Sequence, residues 1–181
     1  MKKIILASFA LCIAVLPAKA VDLNVSYAGS ASSDDNPVAI AGGDDLKELV
    51  AGTTVCDNYA KIDDPDNSWW VVAADETYDY MIFLFNRPSG YDEGTGRWRI
   101  GGTGNAVTLY RWDYDLGTPP GRFVVIDTNE GDDPPVMEEV DIPAGWFSPS
   151  HLLVLMAVVD EDPEEDFMKC DVMDIQFAVR F

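Results

Sequence analysis

The chain is 181 residues long and strongly acidic, with 32 Asp and Glu against 12 Lys and Arg and a formal net charge of −20. A surface of that sign repels nucleic-acid backbones and anionic lipid, which excludes nucleic-acid binding and leaves divalent cations and basic partners as the complementary classes. Five Trp, seven Tyr and eight Phe demand burial or a ligand, so the acidity belongs to a folded chain and not to a disordered one.

The first twenty residues read as a cleaved signal peptide (1–20). Lys2-Lys3 is a basic start, Ile4 to Leu16 an apolar stretch, and Ala18-Lys19-Ala20 offers small residues at a cleavage site. That stretch is shorter than the ~20 residues of a spanning helix. Cys12 lies inside it and not just after a cleavage site, so no lipid anchor is expected. The segment holds three of the basic residues and no acid, leaving nine basic against 32 acidic residues and a formal charge of −23 from Val21 on. The remainder, 21–181, has the length of one domain, and no membrane span is expected after cleavage.

Val21, Leu23, Val25 and Tyr27 alternate with polar residues and predict a first strand. A loop from Ala28 to Pro37 follows. Gly42 to Val50 predicts one short helix, capped by Asp44 or Asp45. Thr53 to Ile62 reads as a strand carrying Cys56, and Asp63 to Ser68 as a turn. Trp69 to Ala73 and Tyr78 to Phe85 are further strands, the second apolar on both faces near its end. Trp69 and Trp70 point to opposite faces, one to the core and one outward. Arg87 to Gly96 reads as a long loop and Trp98 to Ile100 as a short strand. Ala106 to Tyr114, Arg122 to Asp127 and Val136 to Ile142 complete the middle of the chain.

The last forty residues open with the turn-rich Ile142-Pro143-Ala144-Gly145. Leu152 to Val159 is an unbroken apolar run, predicted to be a strand buried on both faces. After the acidic Asp160 to Asp166 comes an alternation of Met173, Ile175, Phe177, Val179 and Phe181. These two strands are expected to form a hairpin. About nine or ten short strands with almost no helical periodicity predict an all-β chain, a single antiparallel β-sandwich of Ig-like or jelly-roll-like type. A membrane β-barrel is disfavoured, because a barrel lumen needs polar partners where Leu152 to Val159 is apolar on both faces. From Tyr78 to Phe181, the order of aromatic strand, Gly-rich loop, Pro-Ala-Gly entry, apolar strand, acidic turn and alternating strand resembles the Ig-like β-sandwich modules of exported bacterial proteins. The usual Gly-x-Tyr is replaced here by Ser148-Pro149-Ser150-His151, and the resemblance carries no site residues.

Four features are candidates for chemistry. Cys56 and Cys170, in an oxidising compartment, are expected to form one disulfide. Asp127, Asn129, Asp132 and Asp133 place oxygens around Gly131 as a calcium loop does, although no helix pair flanks them and an acidic turn is the favoured reading. Tyr110, Trp112 and Tyr114 share one strand face and form a candidate ligand platform, with Trp98 and Trp146 as further loop-side aromatics. Ser148, Ser150 and His151 are mere sequence neighbours, and His151 is the only histidine, so neither a triad nor a His-rich metal site is expected.

The function expected is that of an exported, periplasmic or extracellular, non-catalytic binding or structural and adhesive module. Its partner would be a protein or glycan at the cell surface, with no cofactor other than calcium. The alternatives are a calcium-dependent carbohydrate-binding domain and a self-assembling filament subunit that donates Val21 to Tyr27.

Overall fold

The computed structural model describes residues 21–62, 65–73, 77–91, 93–102, 106–129, 135–160 and 167–177. Residues 1–20, Asp132, Asp133, residues 161–166 of the acidic stretch, and Val179 and Phe181 of the final alternation lie outside them. Eleven strands and one α-helix are described, and every strand pairing is antiparallel.

Sheet A contains β1 (Val21–Asn24), β4 (Trp70–Ala73), β6 (Glu93–Gly102), β9 (Glu138–Pro143) and β11 (Phe167–Phe177). β11 is central: β6 runs along one side, and β1 and β4 share the other, end to end. Sheet B has the order β3 (Thr54–Val55), β2 (Tyr27–Ser33), β5 (Tyr78–Asn86), β10 (Leu152–Asp160), β7 (Val107–Asp113), β8 (Arg122–Thr128). The sandwich architecture is the one the strand pattern predicts.

The core between the sheets takes Met81, Phe83 and Phe85 from β5 and Leu153, Leu155, Ala157 and Val159 from β10. Sheet A answers with Trp98, Ile100, Met168, Cys170, Met173, Ile175 and Phe177. A β-bulge between Cys170 and Val172 explains the change from even to odd inward positions along β11. On the far side of sheet B, Val154, Met156 and Val158 join Tyr80, Ile82, Trp112 and Phe123 in a second cluster closed by Leu46 of α1 (Gly42–Ala51). The molecule therefore has three layers: helix, sheet B, sheet A. β10 is apolar on both faces because both faces are covered.

The structure departs from the sequence reading in five places. β10 and β11 lie in different sheets, so the C-terminal pair is a crossover and not a hairpin. The first predicted strand is split at Val25-Ser26, where the chain passes from sheet A to sheet B, and β2 continues through the Ala-Gly-Ser stretch expected to be loop. The strand expected over Thr53 to Ile62 shrinks to two residues, after which the chain crosses towards sheet A and the Met173 N–H donates to Ile62 O at 3.0 Å. β6 begins at Glu93 and not at Trp98, with Gly94 against Ile175 and Phe177 and Gly96 against Ile142. Helix α1 is capped at Ala41, and Asp45 serves from inside the first turn by accepting the Ala41 N–H at 3.2 Å.

Cys56 and Cys170 also differ from expectation. Both are buried in the inter-sheet core, but the structure holds them as thiols and not as a disulfide. Burial first, then the neighbouring Cys56 and Asp171, push the Cys170 thiol well above its ordinary value.

Candidate functional site

The aromatic row expected to meet a ligand is a core face. Trp112 is 1% exposed and packs edge-on against Phe123, ring centroids 4.9 Å apart. Gly121, at a positive φ of 112°, leaves the space that the indole fills. Tyr110 and Tyr114 flank the same cluster half-buried, and the Tyr114 hydroxyl donates to Leu152 O at 3.0 Å. Burial raises the Tyr114 phenol to about 12. Alternation correctly placed these three side chains together; α1 and its flanking turns cover them.

The described half of the expected calcium loop ties the two sheets together. Asn129 is 5% exposed; its Oδ1 accepts the Val107 N–H of sheet B at 2.9 Å and its Nδ2 donates to Ile100 O of sheet A at 2.6 Å. Asp127 accepts the Trp98 indole N–H at 2.9 Å through one carboxylate oxygen and the Thr128 N–H at 2.9 Å through the other. Both residues thus satisfy donors and acceptors that strand pairing leaves over. Among the described residues, no group of three or more His, Cys, Asp and Glu is placed to hold a metal ion. Asp132 and Asp133 lie outside the described residues.

Ser148, Ser150 and His151 form a turn. Ser148 Oγ accepts the Leu152 N–H at 3.0 Å and lies 2.8 Å from Ser150 Oγ, while His151 sits at a positive φ of 67° and its backbone N–H donates to Ser148 O. Among the described residues the His151 ring bonds to neither serine.

The outer face of sheet A is the broad face that no described layer covers. Strand register arranges its outward side chains in rows. Gln176, Thr95 and Asp141 are neighbours across β11, β6 and β9, and Asp174, Arg97 and Glu139 form the next row. Asp174, 2% exposed, is gripped through both oxygens by Arg97, with Nε at 2.9 Å from Oδ1. Arg99 holds the fully buried Asp171 at 2.9 Å, donates to Pro135 O and Asn67 Oδ1, and lies 5.0 Å from the centre of the Trp69 ring. Lys169 Nζ also sits 5.0 Å from that ring. These guanidinium groups pair with carboxylates that would otherwise be costly to bury, although Asp171 Oδ1 is left without a hydrogen-bond partner among the described residues.

At the other end of the same face lies a half-open groove of about 630 Å³. Glu93 and Thr95 of β6, Asp141 of β9, Gln176 of β11 and Trp146 line it. Trp146 is half-buried: it packs on the core, and Arg111, itself bonded to Asp113 at 2.6 Å, lies 5.0 Å from its ring centre. The site therefore combines an anchored aromatic wall with carboxylate, amide and hydroxyl groups carried on three hydrogen-bonded strands.

No family model and no curated protein matches the chain. Among solved structures, one described as "Structural basis for the promiscuous specificity of the carbohydrate-binding modules from the beta-sandwich super family" is similar, at 10% identity, a TM-score of 0.37 and 87% coverage of this chain. The chain spans 56% of that protein's length. A likeness so loose carries no argument about function, and it does not single out the Ig-like modules.

The groove was not legible as a site. Trp146 stood out as an aromatic near a turn, but the Glu93–Thr95 pair, Asp141 and Gln176 come from three stretches far apart in sequence, and only strand register unites them. Among the described residues, no helix is long and apolar enough to cross a membrane.

Proposed function

We propose that the protein is an exported, non-catalytic binding module that takes a glycan chain in the groove between Trp146 and the Gln176–Thr95–Asp141 row. The observation that carries this reading is the groove's mixed lining on a rigid support. Sugars present clusters of hydroxyls beside apolar C–H faces. Carboxylate and amide groups meet the hydroxyls in pairs, and an indole edge or face packs on the C–H surface. The outward side of sheet A between Trp146 and Trp69 suits an extended ligand, since the eight residues from Lys169 to Gln176 span roughly 23 Å of strand.

The test is a glycan array probed with the chain and with Trp146→Ala. The expected result is binding to a defined glycan set, reduced at least tenfold by the substitution and unchanged by chelator. Retention of full binding by Trp146→Ala would move the site elsewhere. Binding abolished by chelator would favour the calcium-dependent alternative. The filament alternative is less favoured, because β1 is already paired in cis with Asp174 to Phe177 of β11.

A further inference from the structure

We propose that Arg111, held by Asp113, is the positioning residue of this groove: reaching from the other sheet, it fixes the Trp146 indole against which the glycan packs and so sets the affinity. The inference rests on the glycan reading above and adds to it the residue that tunes the site. The groove is built on sheet A, from β6, β9 and β11, whereas Arg111 belongs to β7, an inner strand of sheet B. Along β7, Tyr110 and Trp112 face the helix-side cluster, while Val107 and Leu109 face the core between the sheets. Arg111 falls on that core side, opposite Leu155 in register, and its side chain is only 16% exposed. A guanidinium there carries a desolvation cost that an apolar side chain would avoid, and replacing buried ion pairs by apolar groups often leaves stability unchanged or raised. What the cation supplies is a contact. Its central carbon lies over the Trp146 ring, 5.0 Å from the ring centre.

Asp113, two residues on and on the same face of the strand, holds the guanidinium at 2.6 Å. Burial would raise the Asp113 carboxyl, but the Asp115 N–H, Arg111 and the Leu116 N–H together keep it below its ordinary value, so the pair stays ionised through the neutral range. Trp146 ends a three-residue turn, Ala144–Trp146, in which the Phe147 N–H donates to Ala144 O at 3.2 Å. The backbone of so short a turn leaves the ring torsions open. They are set by what the ring packs on, which is the core and Arg111. With one face of the indole under Arg111, a sugar meets the other face or the edge.

The experiment uses the array oligosaccharide that binds the parent chain most tightly, and follows its affinity together with the Trp146 indole N–H resonance in two variants of the full chain. Arg111→Lys keeps the charge and loses the planar fork; Arg111→Met/Asp113→Asn removes the ion pair and keeps an apolar stem. The expected result is an affinity about fivefold lower in the double variant, the size of a lost cation–π contact, with a smaller loss in Arg111→Lys. In both, the Trp146 resonance of the unliganded protein should shift or broaden, with the melting temperature close to the parent's. In a Trp146→Ala background, Arg111→Lys should cost no further affinity, because it acts through the ring. Parental affinity in both variants, or a further loss in the Trp146→Ala background, overturns the positioning inference and leaves the glycan reading intact. If the double variant does not fold, Arg111→Lys decides alone: parental affinity with an unmoved Trp146 resonance overturns the inference. Silence of the parent chain on the array overturns the glycan reading and this inference with it.

Discussion

At the scale of single residues, three side chains that looked like ligand contacts hold the fold instead. Replacing Asn129 by Leu leaves the Val107 N–H and the Ile100 carbonyl without the partner that joins the sheets. Each orphaned group costs about 1–3 kcal/mol, so chemical denaturation of Asn129→Leu should show a loss of at least that size, with no dependence on added calcium. Equal stability of variant and parent would contradict the bridging role. Trp112→Ala should cost about 3–5 kcal/mol, as large-to-small core substitutions do, and should leave ligand affinity intact once the variant is folded. Tyr114 offers a titration. Its phenol is raised by burial to about 12 from an unfolded value near 10, so its contribution to stability is complete below about pH 10 and is lost as pH rises through 12. Ultraviolet absorbance should show this phenolate only at that extreme or on unfolding. Composition and alternation tell which side chains share a loop or a face, not what lies over that face, so the packing of these residues was not legible in the sequence.

At the scale of elements, strand character was largely legible and strand partnership was not. The double-sided apolar run of Leu152 to Val159 announced a strand covered twice, and β10 is covered by sheet A and by α1. Nothing local distinguished a hairpin from a crossover to β11, because that choice is made by long-range pairing. β2 escaped notice because Ala28, Gly29 and Ser30 are poor strand formers; at Gly29 a side chain is excluded, since a Cβ there would collide with Thr53 and Tyr27. The groove is the extreme case, assembled by register from β6, β9 and β11. The rows on sheet A also make a prediction. Arg97→Met strips the partner from Asp174, a carboxylate 2% exposed, and should destabilise the protein by about 3–5 kcal/mol near neutral pH. Most of that loss should be recovered in the double variant Arg97→Met/Asp174→Leu; a double variant no better than the single one would show that the pair is not what the strand needs.

At the scale of the whole molecule, the layers divide the labour. Sheet B is sealed on both faces and carries the bulk of the aromatic core, while sheet A keeps one face open with its charges locked in place by Arg97 and Arg99. Cys56 and Cys170 belong to the sealed interior. With the Cys170 thiol fully buried and held protonated, alkylating reagents should fail to label it in the native protein under reducing conditions and should label it only as fast as the chain unfolds. Rapid native labelling would contradict the packing of β11. The division also states where a ligand can and cannot be felt. Trp98 and Trp112 are shielded in the two clusters, Trp70 faces the core, Trp69 sits between Arg99 and Lys169, and Trp146 alone among the five lines the groove. The most direct measurement is therefore a titration of a bound glycan followed by the indole N–H resonances of the ¹⁵N-labelled protein. The account predicts a saturable shift of the Trp146 signal with the Trp98 and Trp112 signals still in place. A shift centred on Trp112, or saturable binding that leaves Trp146 unmoved, would contradict it.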